Sequence, residues 1–231
     1  MTGRPLSVVT DALEWLGDAG NWTGSSGVLP LTAEHLVMAL IAVLAAAAIA
    51  LPVGIWLGHS GRGGTLTVVL ANTTRALPTL ALLTLFAASA IGFGNRATVL
   101  AVTVFAIPPI LTNAYEGIRG VDPHARDAAE GMGMSRSRVL RTVSVPLAVP
   151  LIGAGLRTSA VQVVATIPLA ALVGGGGLGV IIATGIATQR YGKALAGAVL
   201  VAALSVGLEL ALARLQRRLT PSPLRRLERN S

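Results

Sequence analysis

Long apolar segments alternate with short polar ones along most of the chain. Five of them are long and apolar enough to predict transmembrane helices, at residues 32–57, 66–91, 97–113, 151–173 and 195–215. The first has about 25 residues, which form roughly 37 Å of helix and exceed a hydrocarbon core of about 30 Å. The pattern therefore predicts an all-α integral membrane protein with five transmembrane helices.

Two further segments differ from the spans. Residues 178–189 are apolar but short and flanked by glycine, which predicts a short re-entrant or interfacial helix. Residues 1–31 combine the acidic Asp11, Glu14 and Asp18 with tryptophan, so they are predicted to form an amphipathic segment with a helix at the membrane surface. The transmembrane domain is accordingly predicted over residues 32–215.

Residues 122–150 are the one long polar and basic stretch between apolar segments. Asp122 followed by Pro123 is the sequence of a helix N-cap with proline at the first helical position, and Gly131 and Gly133 predict the end of that helix. A helix this short is marginal in water on its own. The stretch is therefore predicted to dock on a partner surface, and the alternative is an ordinary solvated loop.

The predicted helix has two different faces. Small residues are spaced to share one face, at Ala125, Ala128, Ala129 and Met132. Arg126 and Glu130 are spaced to pair on the other side. The small face is predicted to fit a groove.

Prolines are predicted to interrupt several helices. Ser135 can cap a second short helix that runs to Val143, and Pro146 and Pro150 are predicted to limit it before the next span. Prolines also occur in four of the five spans, at Pro52, Pro78, Pro108, Pro109 and Pro168. Broken helices are tolerated in membranes where they line a cavity or are covered by protein.

Polar and glycine residues within the spans predict a transport path. The candidates are Arg75, Pro78, Thr79, Gln162, Thr166, Gly174, Gly175, Gly176 and Gly177. Four consecutive glycines allow the close approach of another chain segment that a gate needs. The alternative for the Gln and Thr residues is an interhelical hydrogen bond. Arg75 could instead snorkel or form a structural ion pair, and the four glycines could form a flexible turn.

Composition and charge support this topology. The 231 residues are 53% hydrophobic and 12% charged, and the net charge is +8. Most of the 18 Lys and Arg fall on alternate polar segments, as the positive-inside rule requires if the N-terminus lies outside and residues 216–231 form a basic cytoplasmic tail. Anionic lipid is the predicted electrostatic partner, and nucleic acid is not. With no cysteine and three scattered histidines, no metal or cofactor site is predicted.

The polar stretch resembles the coupling loop of bacterial ABC-importer permeases, written E-A-A-x3-G-x9-I-x-L-P. Its matching residues are Asp127, Ala128, Ala129, Gly133, Val143, Val145 and Pro146. Aspartate replaces Glu and valine replaces Ile and Leu in that pattern. The resemblance implies that this loop is cytoplasmic and seats in a cleft of an ATPase subunit.

Residues 169–179 are similar to L-A-A-L-I-G-A-G-G-L-G of permeases for glycine betaine, carnitine and choline. Residues 75–79, 118–123 and 131–134 also resemble this osmoprotectant branch, and specifically actinobacterial ProWZ-type permeases. The resemblance implies a type I (MetI-like) permease of the bacterial cell membrane. It implies that the imported solutes are compounds such as glycine betaine, choline, carnitine or proline betaine, and that transport occurs by alternating access. The implied partners are two ABC ATPase subunits, a second permease that is identical or related, and an extracytoplasmic substrate-binding protein.

ATP hydrolysis and high-affinity substrate binding are both predicted to be functions of other polypeptides. The chain has no G-x4-G-K-[ST] sequence, so ATP hydrolysis is assigned to a separate subunit and this chain is not an enzyme. Quaternary ammonium recognition favours aromatic cages, yet the predicted spans hold only Trp56, Phe86 and Phe105. The alternatives to an osmoprotectant permease are a permease for methionine or another amino acid, a self-contained secondary carrier, and a membrane scaffold.

Overall fold

The computed structural model describes residues 5–61, 63–65, 69 and 78–219, and the regular structure within these residues is helical. The α-helices are α1 (Pro5–Gly17), α2 (Val28–Ser60), α3 (Thr79–Ala88), α4 (Asn95–Arg119), α5 (Pro123–Gly131), α6 (Arg136–Val139), α7 (Val145–Thr166), α8 (Gly179–Ala187) and α9 (Tyr191–Leu219). Two 3-10 segments, Ala19–Asn21 and Ile167–Val173, and one π turn, Leu140–Ser144, complete them.

Four described helical segments are long and apolar enough to cross a membrane: Val28–Ser60, Asn95–Arg119, Arg136–Val173 and Tyr191–Arg218. They confirm the helices predicted over residues 32–57, 97–113, 151–173 and 195–215. The described part of the remaining predicted span, residues 66–91, contains the shorter apolar helix α3. Arg75 and its neighbours at residues 70–77 lie outside the described residues.

The N-terminal segment is helical, as predicted, and the residues after α1 form hydrogen bonds to the end of that helix. Beyond α1, the Trp22 indole Nε1–H donates to the Leu16 carbonyl at 2.8 Å, and the Asn21 amide donates to the Trp15 carbonyl at 2.9 Å. Gly192, near the start of α9, faces the backbone of α1, where any side chain would overlap. Helix α1 therefore packs against the start of α9.

The described residues form two compact units. The first, within residues 1–44, 77–105 and 160–208, holds α1, α3, α8, the starts of α2, α4 and α9, and the end of α7. Its apolar core has two parts, one around Leu83 and Ala101 and the other around Leu31 and Leu178. The second, within residues 45–76, 106–159 and 209–231, holds α5 and α6 with the remaining halves of the four long helices.

Glycines set the helix packing in the second unit. A Cβ on Gly54 would lie 2.7 Å from the Leu111 carbonyl oxygen, and one on Gly58 would lie 2.8 Å from the Tyr115 carbonyl oxygen. The two glycines are four residues apart, so both face α4 and let the backbones of α2 and α4 approach closely. This is the small-residue packing typical of membrane helices.

Replacing Gly58 with valine is expected to destabilise the protein, because its nearest neighbour is a backbone carbonyl that a side-chain rotation cannot move. Overpacking of this kind costs about 1–3 kcal/mol. Thermal unfolding of the purified protein should show a lower midpoint. Gly207→Val is the matched control, since a Cβ there meets nothing within 4 Å. Equal melting of the two variants would contradict the packing.

An ion pair involves Arg157, which lies within the span predicted at residues 151–173. Arg157 Nε of α7 lies 3.5 Å from Glu209 Oε1 of α9, and both side chains are partly exposed. Charged groups in membrane helices are expected to pair in this way. Arg157 therefore has a structural role between two spans.

Candidate translocation and coupling sites

The first helix of the polar stretch begins and ends as predicted. Asp122 caps α5 by accepting a hydrogen bond from the His124 N–H at 2.9 Å. At the other end Gly133 has a φ of 85°, its N–H donates to the Glu130 carbonyl at 2.9 Å, and the Met134 N–H donates to the Ala129 carbonyl at 3.2 Å. This pair of bonds is a Schellman motif, which requires the left-handed conformation that glycine adopts most easily.

The predicted face of small residues is divided between two environments. Ala129 is only 2% exposed and packs within its own chain, where α5 contacts α6 and the π turn. Ala128 is exposed, and Met132 is 72% exposed. Asp127 is exposed as well. Ala129 thus holds the segment together, while its neighbours form the accessible surface.

The predicted pairing of Arg126 with Glu130 is wrong. The Arg126 guanidinium instead donates to the Val121 carbonyl at 2.8 Å and reaches the Arg119 carbonyl at 3.5 Å. Carbonyls at the end of a helix lack intrahelical partners, and a cation there complements the helix dipole. Arg126 therefore fixes α5 to the end of α4.

The prediction that Pro146 and Pro150 interrupt the second helix is also wrong. Helix α6 continues through the π turn Leu140–Ser144 into α7, with both prolines inside the helical run. The Val145 N–H donates to the Leu140 carbonyl five residues back. The wider π turn just before Pro146 relieves the clash that a proline ring makes with the carbonyl four residues earlier in an α-helix. Ser135 occupies the N-cap position of α6 without a capping bond from its side chain. Val143 and Val145 are half-buried, and Pro146 is exposed.

The glycine loop, residues 174–179, follows the 3-10 segment Ile167–Val173. Gly174 and Gly177 have φ values of 71° and 76°, in the left-handed region. A Cβ on Gly175 would lie 2.6 Å from the Thr98 hydroxyl oxygen, and one on Gly176 would overlap the carboxyl group of Glu34. Two of the glycines are thus required by conformation and two by space.

Side chains from two other helices hold the glycine loop by its backbone. The Gly177 N–H donates to Glu34 Oε2 at 2.8 Å, and the Gly176 N–H donates to Asn95 Oδ1 at 2.7 Å. Asn95 Nδ2 in turn donates to Glu34 Oε1 at 2.6 Å. We call these three bonds the Glu34 network. They connect the loop to the side chains of Glu34 in α2 and Asn95 in α4.

His35 ties the next residue of the loop to the end of α7. The buried ring accepts a hydrogen bond at Nδ1 from the Leu178 N–H, at 3.4 Å, and its Nε2 lies 2.9 Å from the Val164 carbonyl oxygen. A carbonyl only accepts and the Leu178 N–H only donates, so the proton is on Nε2 and the ring is neutral. His35 thereby joins the start of α2 to two segments far away in sequence.

Glu34, His35 and Asn95 were missed by sequence reasoning. A signal existed for the first two, since a carboxylate and an imidazole inside the predicted span at residues 32–57 mark a candidate functional site. Asn95 lies between the spans predicted at residues 66–91 and 97–113, where an asparagine is ordinary.

The structure gathers only some of the predicted path residues. Gly174, Gly175 and Gly176 line a cavity of ≈ 620 Å³ together with Glu34, Ile91, Phe93, Asn95, Arg96 and Val180. Gln162 is exposed and Thr166 is half-buried, and neither lines this cavity. Pro78 occupies the N-cap position of α3, and Thr79 is its first residue. The predicted path at Arg75 lies outside the described residues.

Comparison with known proteins identifies the family. Residues 50–221 match the family described as binding-protein-dependent transport system inner membrane component. The chain belongs to this family. The permease is therefore a multi-pass membrane protein, and ATP hydrolysis takes place on a separate subunit.

Curated relatives and a solved structure agree with this assignment. The permease is 35% identical over 206 residues to the choline transport system permease protein OpuBB of Bacillus subtilis (strain 168), covering 89% of this chain and 94% of that protein. It is 34% identical over 202 residues to the glycine betaine/carnitine/choline transport system permease protein OpuCB of the same organism, covering 87% and 93%. The inward-facing MetNI methionine ABC transporter matches with a TM-score of 0.70 and 23% identity, covering 84% of this chain and 96% of that chain. That likeness confirms the predicted MetI-like fold.

Proposed function

We propose that the permease imports compatible solutes that carry a quaternary ammonium group, such as glycine betaine, choline, carnitine or proline betaine. The observation that carries this proposal is the match to choline and glycine betaine/carnitine/choline permeases over nearly their whole lengths. The likeness to a methionine transporter extends to the fold alone and does not favour methionine as cargo.

The proposed orientation places the N-terminus and the glycine loop outside the cell, and residues 122–150 and the C-terminal tail in the cytoplasm. The distribution of Lys and Arg supports it. In the proposed domain division, residues 1–31 are extracytoplasmic, residues 32–215 form the permease domain, and residues 216–231 are the basic tail. Anionic lipid is the proposed partner of that tail.

The proposed assembly contains two ATPase subunits, a second permease that is identical or related, and an extracytoplasmic binding protein. Residues 122–150 are the proposed contact with an ATPase subunit, which we call the coupling segment. Its exposed residues Asp127, Ala128 and Met132 would enter the ATPase cleft. Ala129 and Gly133 would act indirectly, by fixing the shape of α5.

The proposed transport cycle is alternating access. ATP-driven closure of the two ATPase subunits would move the coupling segments, and the spans would open outward around the glycine loop. In the described conformation the Glu34 network holds that loop by two backbone N–H groups, those of Gly176 and Gly177. Opening would therefore require these bonds to break or to move together with the loop.

Transport by the reconstituted complex tests the cargo. Proteoliposomes that contain the permease and its ATPase, with ATP in the lumen and the binding protein outside, should accumulate labelled choline, glycine betaine or carnitine. Methionine serves as the comparison, because the fold is shared with its transporter. Accumulation of methionine without any quaternary ammonium solute would contradict the proposal.

A further inference from the structure

The cavity beside the glycine loop is lined by three side chains of different chemistry. Phe93 lines it with a ring that is 73% exposed, Glu34 supplies a carboxylate, and Arg96 supplies a guanidinium. The volume of ≈ 620 Å³ lies within the range of about 300–1,000 Å³ typical of small-molecule sites. An exposed aromatic side chain beside a carboxylate is the chemistry that binds organic cations.

We propose that this cavity, the Phe93 pocket, is a low-affinity receiving site for the cargo. The Phe93 ring and the Glu34 carboxylate bind the quaternary ammonium group, and Arg96 binds the carboxylate of a zwitterionic cargo such as a betaine. This inference rests on the proposed function, because it takes the cargo class from it.

The hydrogen bonds of Glu34 favour a quaternary ammonium over other cations. Each carboxylate oxygen already accepts one bond, from Asn95 Nδ2 and from the Gly177 N–H. The two oxygens keep about two of their four lone-pair sites free, whereas a primary ammonium group carries three N–H donors that need acceptors. A quaternary ammonium group has no N–H, so it gains the charge attraction without displacing the glycine loop.

The composition of the Phe93 pocket also implies weak binding. Among the described residues that line it, Phe93 is the single aromatic one, whereas tight recognition of quaternary ammonium uses several rings. A weak site suits a permease that receives cargo from a binding protein and must release it again. The expectation that high affinity resides on another polypeptide is consistent with this geometry.

Saturation-transfer NMR on the assembled permease–ATPase complex in lipid nanodiscs tests the pocket. Choline is expected to give a methyl signal that tetramethylammonium reduces by competition. Phe93→Ala should weaken choline binding about two- to fivefold, the range of an exposed cation–π contact. Because the ring is exposed, its removal should leave folding intact, and Phe93→Leu, which keeps apolar bulk, should bind as weakly as Phe93→Ala. Arg96→Gln should weaken glycine betaine by a similar factor and leave choline unchanged.

A neutral isostere separates charge recognition from apolar binding. In 3,3-dimethylbutanol carbon replaces the nitrogen of choline, so it should neither give a comparable signal nor compete. Equal signals from the isostere and choline, or unchanged choline binding in Phe93→Ala, would overturn the pocket while wild-type uptake of choline still stands. Absence of any quaternary ammonium uptake by the wild-type complex with its binding protein would instead overturn the proposed function, and the pocket with it.

Discussion

Glu34→Ala is expected to raise ATP hydrolysis by the assembled complex about tenfold or more when no binding protein is present. The carboxylate accepts bonds from the Gly177 N–H and from Asn95 Nδ2, and bonds to a charged group contribute about 1.5–3 kcal/mol each. Losing even one of them would shift the balance between closed and open states of the glycine loop by about tenfold. The measurement is the rate of ATP hydrolysis in nanodiscs, with and without the binding protein, for Glu34→Ala and for the wild type.

The double variant Glu34→Gln with Asn95→Asp is the matched control for this experiment. The glutamine amide can donate to the new aspartate, the glutamine oxygen can accept from Gly177, and the aspartate can accept from the Gly176 N–H. Every bond of the Glu34 network then has a partner again. Hydrolysis should return toward the wild-type rate. A high rate in the double variant, or an unchanged rate in Glu34→Ala, would contradict a role of the network in closure.

The glycine loop illustrates what the sequence could predict. Four consecutive glycines after an apolar span predicted a special backbone, and the structure has two of them at positive φ. The partners could not be predicted, because Glu34 and Gly177 are 143 residues apart and periodic patterns report only local structure. A carboxylate in a predicted span was the available signal, although nothing in the sequence connects it to the loop.

The polar stretch shows the same limit at shorter range. Caps and glycines predicted where α5 begins and ends, since those signals act within a few residues. The burial of Ala129 and the turn of Arg126 toward the end of α4 depend on packing between segments. The run of helix through Pro146 depends on a π turn, for which the sequence has no established signal.

Ala128→Trp is expected to reduce ATP-driven uptake at least about thirtyfold while the permease still folds and inserts. The methyl group of Ala128 is exposed, so an indole has room within the chain but would obstruct docking into an ATPase cleft. Disruption of a central interface contact costs about 2 kcal/mol or more. Uptake in proteoliposomes, together with co-purification of the ATPase subunit, measures both consequences.

The burial of Ala129 supplies the contrast that makes this experiment specific. Ala129→Trp would place an indole where the side chain is 2% exposed, and it should lower the thermal stability of the permease itself. Ser137→Trp, on the exposed surface of α6, controls for adding an indole to the same segment. If Ala128→Trp transports like Ser137→Trp, then the exposed side of α5 is not the surface that docks. Loss of uptake in Ala128→Trp alone, at unchanged stability, would instead place the ATPase contact on the exposed surface of α5 around Ala128.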